Sequence, residues 1–314
     1  MRKALVVGID DYPVSPLHGC VNDANAIANV IERNSDGSPN FAVKLITSPG
    51  NSISRASLRR DIEDLFSGDC DVALFYFSGH GFVKSTGGYI VTPDFKKYDE
   101  GISMDEILTL ANGSKVKDRI VLLDCCFAGA LGTPAITGNL TQLSEGLTVL
   151  TSSKANETSK EVDGGGIFTA LVVDALNGGS ADLRGNVTPG SIYAYVDQAL
   201  GAWDQRPVFK TNVSRFTSLR NVTPPIAISV LRKLCEYFPK PQDQFMLNPT
   251  FEFTESKAIK ENVAAFKDLQ KYESVGLVVP VGEEHMYFAA MNSKACKLTA
   301  MGYQYWKLVY EKKI

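Results

Sequence analysis

The chain has 314 residues, with 32 Lys and Arg against 35 Asp and Glu and a formal net charge of -3. Such near-balance leaves no global field to hold it on nucleic acid or an anionic membrane. Six cysteines, two adjacent and four scattered, give neither disulfide-scaffold density nor CxxC zinc spacing, and no run reaches the roughly 18 apolar residues of a membrane span.

The first apolar run, "KALVVGI", is too short for a signal-peptide core and reads as a strand. "NDANAIANVIERN" then places Ile27, Val30 and Ile31 on one helical stripe. Strand "FAVKLIT" follows, then helix "SRASLRRDIEDLF" with Leu58, Ile62, Leu65 and Phe66 on one face, then strand "DVALFYFS". Helix "MDEILTLANG", strands "RIVLLD" and "LTVLTSS", and helices "GIFTALVVDALNGG" and "PGSIYAYVDQALGAW" complete this part. Continuous apolar strands belong to a sheet covered on both faces, so the alternation predicts an α/β layered fold with a mostly parallel central sheet. Ligands in such sheets sit beyond the carboxyl ends of the strands.

Near residue 220 the pattern changes. "NVTPPIA" and "FPKPQDQ" bracket a helical "ISVLRKLCEYF", which predicts a domain over 1–221, a linker region with a helix over 222–245, and a second domain over 246–314. The last reads as helix "SKAIKENVAAFKDLQKYESVG", strand "LVVPV", a turn at Gly282, strand "HMYFAAM" and closing helix "CKLTAMGYQYWKLVYEKK". That order resembles a small α+β winged-helix module.

Two strands end in unusual residues. "ALFYFSGHGF" presents His80, one of only three histidines, between Gly79 and Gly81, which let backbone approach a substrate and leave the ring uncovered. "VLLDCCFAG" ends in Asp124, Cys125 and Cys126. Strand alternation puts Asp124 and Cys126 on one side and Cys125 with Leu123 on the other, so Cys125 reads as a small core residue and Cys126 as the thiol facing a site. The plain alternatives are a structural histidine in a turn and two packing cysteines. A thiol needs a base to become a thiolate near neutral pH, and imidazole suits that task. His80 precedes Cys126 by 46 positions, close to the caspase spacing of about 50.

On these residues the sequence resembles the caspase-like cysteine peptidases, and within them the metacaspase branch and its bacterial relatives. The resemblance is carried by "YFSGHG", "DCCFAG" and "GCVNDA", with "LTSSKANETSKE", "GIFTALVVDAL" and "RPVF" downstream, over about residues 3 to 215. Ala128 stands where the cysteine motif usually has serine. The resemblance implies a three-layer sandwich and a Cys-His dyad, with Cys126 as nucleophile, His80 as base and acid, and the amides of Cys126 and Gly81 holding the oxyanion. It also implies an acidic pocket of Asp23, Ser78 and Asp124 that selects Arg or Lys before the cut in a protein or peptide substrate, through charge-assisted hydrogen bonds. For Asp23, helix N-capping is an equal alternative.

No cofactor and no metal are expected. Calcium dependence is common in the resembled branch, but here Asp94 alone matches its acidic cluster, and calcium needs six to eight oxygen ligands. The segment "SSKANETSKEVDGGG" reads first as a solvated loop, with self-cleavage near Lys154 or Lys160 as the alternative. Residues 244–314 hold nine Lys and no Arg against eight acids, far from a phosphate-binding footprint. Tyr303, Tyr305, Trp306 and Tyr310 therefore suit a small core or a protein interface. The expected protein is a soluble, cytoplasmic protease of a bacterial defence or cell-death pathway, with a protein partner on its tail and no membrane. A non-proteolytic scaffold and a DNA-binding regulator are the competing readings.

Overall fold

In the computed structural model, which describes residues 1–49, 53–96, 99, 101–126, 128, 131, 142–153, 161–162, 164–200 and 206–314, six strands build a central sheet. They are β1 (Arg2–Gly8), β2 (Ala42–Thr47), β3 (Val72–Ser78), β4 (Asp118–Asp124), β5 (Leu147–Thr151) and β6 (Val208–Asn212), in the order β6-β5-β4-β3-β1-β2. All neighbours are parallel except β6, which runs antiparallel to β5. The five strands read from sequence are present; β6 is an addition. Every residue of β3 is buried, as an apolar strand covered on both faces requires.

Alternation along the strands sorts side chains into two cores. Leu5, Val7, Phe75, Phe77, Val121 and Leu123 face α2 (Arg55–Ser67) and α3 (Met104–Gly113). Ala4, Val6, Leu74, Tyr76, Ile120 and Leu122 face α1 (Cys20–Glu32), α4 (Ile167–Asp174) and α5 (Pro189–Ala199). The result is a three-layer sandwich. Gly8 lets α1 sit directly on the sheet, because a Cβ there would run into the carbonyl of Cys20 and the side chain of Ala24. The helices begin where capping chemistry allows: Ser54 and Ser57 form a reciprocal capping box at α2, and Thr188 with Ser191 does the same at α5, where Pro189 opens the first turn.

From β1 the chain steps outward to β2, then crosses back to β3 on the other side of β1. The segment after β1 leads to α1 on one face, while the segment after β3 leads to α3 on the other. A crevice therefore opens beyond the carboxyl ends of β1 and β3, the switch point where open α/β sheets bind ligands. A three-stranded antiparallel ribbon of Gly81–Lys84, Gly87–Ile90 and Ile102–Ser103, not foreseen from sequence, follows β3 there. Lys154 and Lys160 lie outside the described residues.

The chain divides into two units, residues 1–181 with 186–223, and 224–314 with 182–185. In the second, the stretch expected as linker supplies core: Ile226, Leu231, Leu234 and Phe238 are buried with Phe266, Leu269, Tyr272 and Trp306. The expected helix there is two short ones, Ile228–Leu231 and Leu234–Tyr237. Helix Lys260–Ser274, strand Val278–Val281 and the turn at Gly282, with φ +76°, follow as read. The next element corrects the reading: residues 286–291 form a helix, not a strand, because Met286, Ala289 and Ala290 are buried together at helical spacing. The partner of Val278–Val281 is Ala295–Leu298, which in turn pairs with Gln244–Met246, so Cys296–Leu298, expected to open the closing helix, are strand instead. Helix Ala300–Tyr310 closes the unit, with the Trp306 indole donating to the Phe238 carbonyl at 2.6 Å and its ring stacked between Tyr303 and Tyr310. Among the described residues no helix is long and apolar enough to cross a membrane.

Candidate active site

At the switch point, parallel register aligns Gly8 with Ser78 and Ser78 with Asp124, so three adjacent strands end level with one another. Ser78 and Asp124 fall on the face covered by α1 and α4. Asp23 reaches the same place from the first turn of α1. A cavity of about 310 Å³ opens above them, lined among others by Asp23, Ser78, His80, Asp124, Cys126 and Gly166. Five sequence-predicted side chains thus share one space.

The floor is acidic and tightly held. Asp23 is buried and accepts from the Gly166 amide at 3.1 Å through both carboxylate oxygens and from the Ser78 hydroxyl at 3.2 Å. Asp124 accepts from Thr169 Oγ1 at 2.7 Å, and Thr169 Oγ1 lies 2.6 Å from the Tyr76 hydroxyl. Burial, with the charges of Asp124 and Asp23 adding to it, raises the Tyr76 phenol well above its usual range, so it stays neutral. Gly166 is the hinge of this arrangement, since a Cβ there would collide with the Asp124 carboxylate and crowd that of Asp23. Two buried carboxylates, each accepting from neutral donors, give this part of the cavity an acidic lining.

N-capping by Asp23 is not what the structure contains. Gly19 precedes the first turn of α1, and Asp10 takes its free amides, accepting from Cys20 N at 2.8 Å and Val21 N at 3.3 Å. Asp23 sits at the inner end of that first turn, where its side chain lines the cavity and accepts from Gly166 and Ser78 instead. Asp94 does serve a helix start, accepting from the Arg55 amide at 3.0 and 3.2 Å. Among the described residues, no group of three or more His, Cys, Asp or Glu is placed to hold a metal ion.

The two cysteines part as strand alternation predicts. Cys125 is only 1 % exposed, packs in the core with Leu123 and touches the cavity from beneath. Burial, with the Asp124 charge adding to it, pushes its thiol well above the usual range. Cys126 is half-buried and faces the cavity. Gly81 packs against this turn so closely that a Cβ would strike the Cys126 carbonyl.

His80 is fixed by two groups that sequence reasoning missed. Its Nε2 lies 2.6 Å from the Ser15 carbonyl oxygen. A carbonyl only accepts, so Nε2 carries the proton and Nδ1 is the nitrogen left to exchange one. Ser15 holds φ +59°, the left-handed region that costs a non-glycine residue on the order of 1 kcal/mol. Tyr12, buried below, accepts from the His80 amide at 3.0 Å and donates to the Val91 carbonyl at 3.2 Å, with its ring centroid 4.5 Å from the imidazole. Gly79 makes room for that hydroxyl.

The family model of the Caspase domain matches residues 1–217. Among solved structures, the chain is similar to a structural-genomics protein from Geobacter sulfurreducens, at 16% identity and TM-score 0.53, covering 71% of this chain and 100% of that one. It is also similar to caspase-1 from Spodoptera frugiperda, at 13% identity and TM-score 0.50, covering 71% of this chain and 91% of that one. No curated protein matches the sequence.

Proposed function

The chain belongs to the caspase-domain family of cysteine peptidases, and on that premise we propose that it is an endopeptidase that cuts after Arg or Lys with Cys126 and His80. The observation that carries this reading is the sharing of one cavity by His80, Cys126 and two buried carboxylates. His80 Nδ1 takes the thiol proton, and the Cys126 sulfur attacks the scissile carbonyl carbon. The amides of Cys126 and Gly81 hold the resulting oxyanion, each contributing about 3 kcal/mol in comparable sites. Collapse breaks the C–N bond as the imidazolium hands its proton to the departing amine. Water, losing a proton to His80, then attacks the thioester and frees the acid and the thiol. A guanidinium or ammonium before the cut is held by Asp23 and Asp124, with Ser78 between them.

A panel of fluorogenic peptides with Arg, Lys or Asp before the cut, run with and without a calcium chelator, tests the reading. Turnover of the Arg and Lys peptides that survives chelation is expected; cleavage after Asp alone would overturn it. The protease is proposed to act in a bacterial defence or cell-death pathway, with the second unit as the docking element for a protein partner.

Tyr12 acts as a positioning residue. Tyr12→Phe keeps the ring beside the imidazole and removes the hydroxyl that ties His80 N to Val91 O. The expected result is a fall in kcat of roughly tenfold with KM little changed, since misplacing a catalytic group costs rate more than binding. Loss of both in proportion to a fall in folded protein would assign Tyr12 to the core alone.

A further inference from the structure

Beyond the imidazole of His80 lies a second cavity, of about 330 Å³, walled by Tyr12, Val14, Gly81, Phe82, Val91 and Phe95. His80 also lines the acidic cavity and is the residue common to both. The second cavity has no carboxylate, ammonium or guanidinium among its described lining residues. At its rim Val14 is 64 % exposed and Phe95 36 % exposed, so apolar surface is left facing water beside the reacting groups.

We propose that this cavity is the subsite for a substrate residue just after the cut, the first or the second, and that it selects an apolar side chain there. The inference rests on the proteolytic reading and follows from the direction of the reaction. The acyl half of the substrate stays bonded to Cys126 Sγ, with its basic side chain between Asp23 and Asp124. The amine half leaves from the group that protonates it, His80. The chain after the cut therefore passes the imidazole on the side away from the carboxylates, and the walls there are Val14, Phe82, Val91 and Phe95. Substrates would then carry a cation before the cut and an aliphatic or aromatic residue after it.

The test gives the full-length protein internally quenched peptides with Arg before the cut and Leu, Phe, Gly, Asp or Lys at either position after it. The methyl ester of the same Arg peptide, whose leaving group is too small to fill the cavity, is the companion substrate. Leu or Phe at one of the positions should exceed Asp in kcat/KM by on the order of tenfold or more. Phe95→Ala and Val14→Ala should each narrow that ratio and leave methyl-ester turnover unchanged. Equal turnover of all peptides, or a ratio that neither variant moves, overturns the subsite while the methyl ester still reports an active site. If neither the ester nor any peptide is cut, the proteolytic reading has failed by itself, and the cavity is judged by peptide binding to the Cys126→Ala protein, followed by fluorescence anisotropy. Tighter binding of the Leu or Phe peptide that Phe95→Ala removes supports the subsite; equal binding throughout overturns it.

Discussion

Cys126→Ala should lower kcat on an Arg-containing peptide by on the order of 10⁴-fold or more, whereas Cys125→Ala should leave kcat near that of the wild type. The two residues are neighbours in sequence with the same side chain, so the contrast comes wholly from where the end of β4 points them. Cys126 faces the cavity that holds His80. Cys125 faces the core, 1 % exposed, and burial holds its thiol protonated at neutral pH, when only a thiolate is an effective nucleophile. Its backbone carbonyl accepts from the Ser153 hydroxyl at 3.2 Å and fixes the turn, a role that alanine keeps. Removing the buried sulfur should cost about 1 kcal/mol of stability, as for other small core truncations. Alkylation adds an independent reading: iodoacetamide should modify Cys126 in the folded protein and reach Cys125 only after denaturation. Full turnover by Cys126→Ala, or a dead but folded Cys125→Ala, would reverse the assignment.

The same strand logic explains what could be read without coordinates. "DVALFYFS" and "RIVLLD" are apolar throughout, and central strands covered on both faces demand that pattern. Alternation then carries the side of Asp124 and Cys125 into the first residues beyond the strand. β6 escaped notice because "VFKTN" is an edge strand whose residues are only partly buried or exposed, which blurs its pattern. "HMYFAAM" misled because seven residues rich in aromatics fit a strand by composition, while the buried set of Met286, Ala289 and Ala290 fits only a helix. The expected start of the closing helix at Cys296 is too early, because Thr299 is the residue that caps it, accepting from the Gly302 amide at 3.0 Å, and Ala295–Leu298 pair as a strand before it. Ser15 was beyond reach for another reason. Its contribution to His80 is a carbonyl oxygen, and every residue has one; the direction it points depends on a left-handed turn that serine rarely adopts. Asp10, likewise, took the capping role that composition allowed to Asp23, because contact between segments decides which of two carboxylates meets the free amides of α1.

Asp23→Asn and Asp124→Asn should each lower kcat/KM for an Arg peptide by roughly 10²-fold, the equivalent of about 2–4 kcal/mol for leaving a buried charge with an uncharged partner. Asparagine keeps the size of the side chain and one acceptor oxygen. In Asp23→Asn that oxygen continues to accept from the Gly166 amide, so the wall of the cavity stands. In Asp124→Asn it continues to accept from Thr169. What disappears is one negative charge at a place largely screened from salt by burial. The cleanest measure is the ratio of kcat/KM for Arg over citrulline, which has the same shape without the charge. The wild type should favour Arg strongly, and each variant should narrow the ratio mainly through the Arg peptide. The cost should appear in KM and kcat together if the cation also sets the carbonyl against Cys126, because remote binding energy then positions the reacting bond. Melting temperatures close to wild type would separate this effect from damage to the fold. An Arg-to-citrulline ratio unmoved by both substitutions would mean that the basic side chain is read elsewhere, and that the acidic floor serves only to hold Gly166 and Thr169 in place.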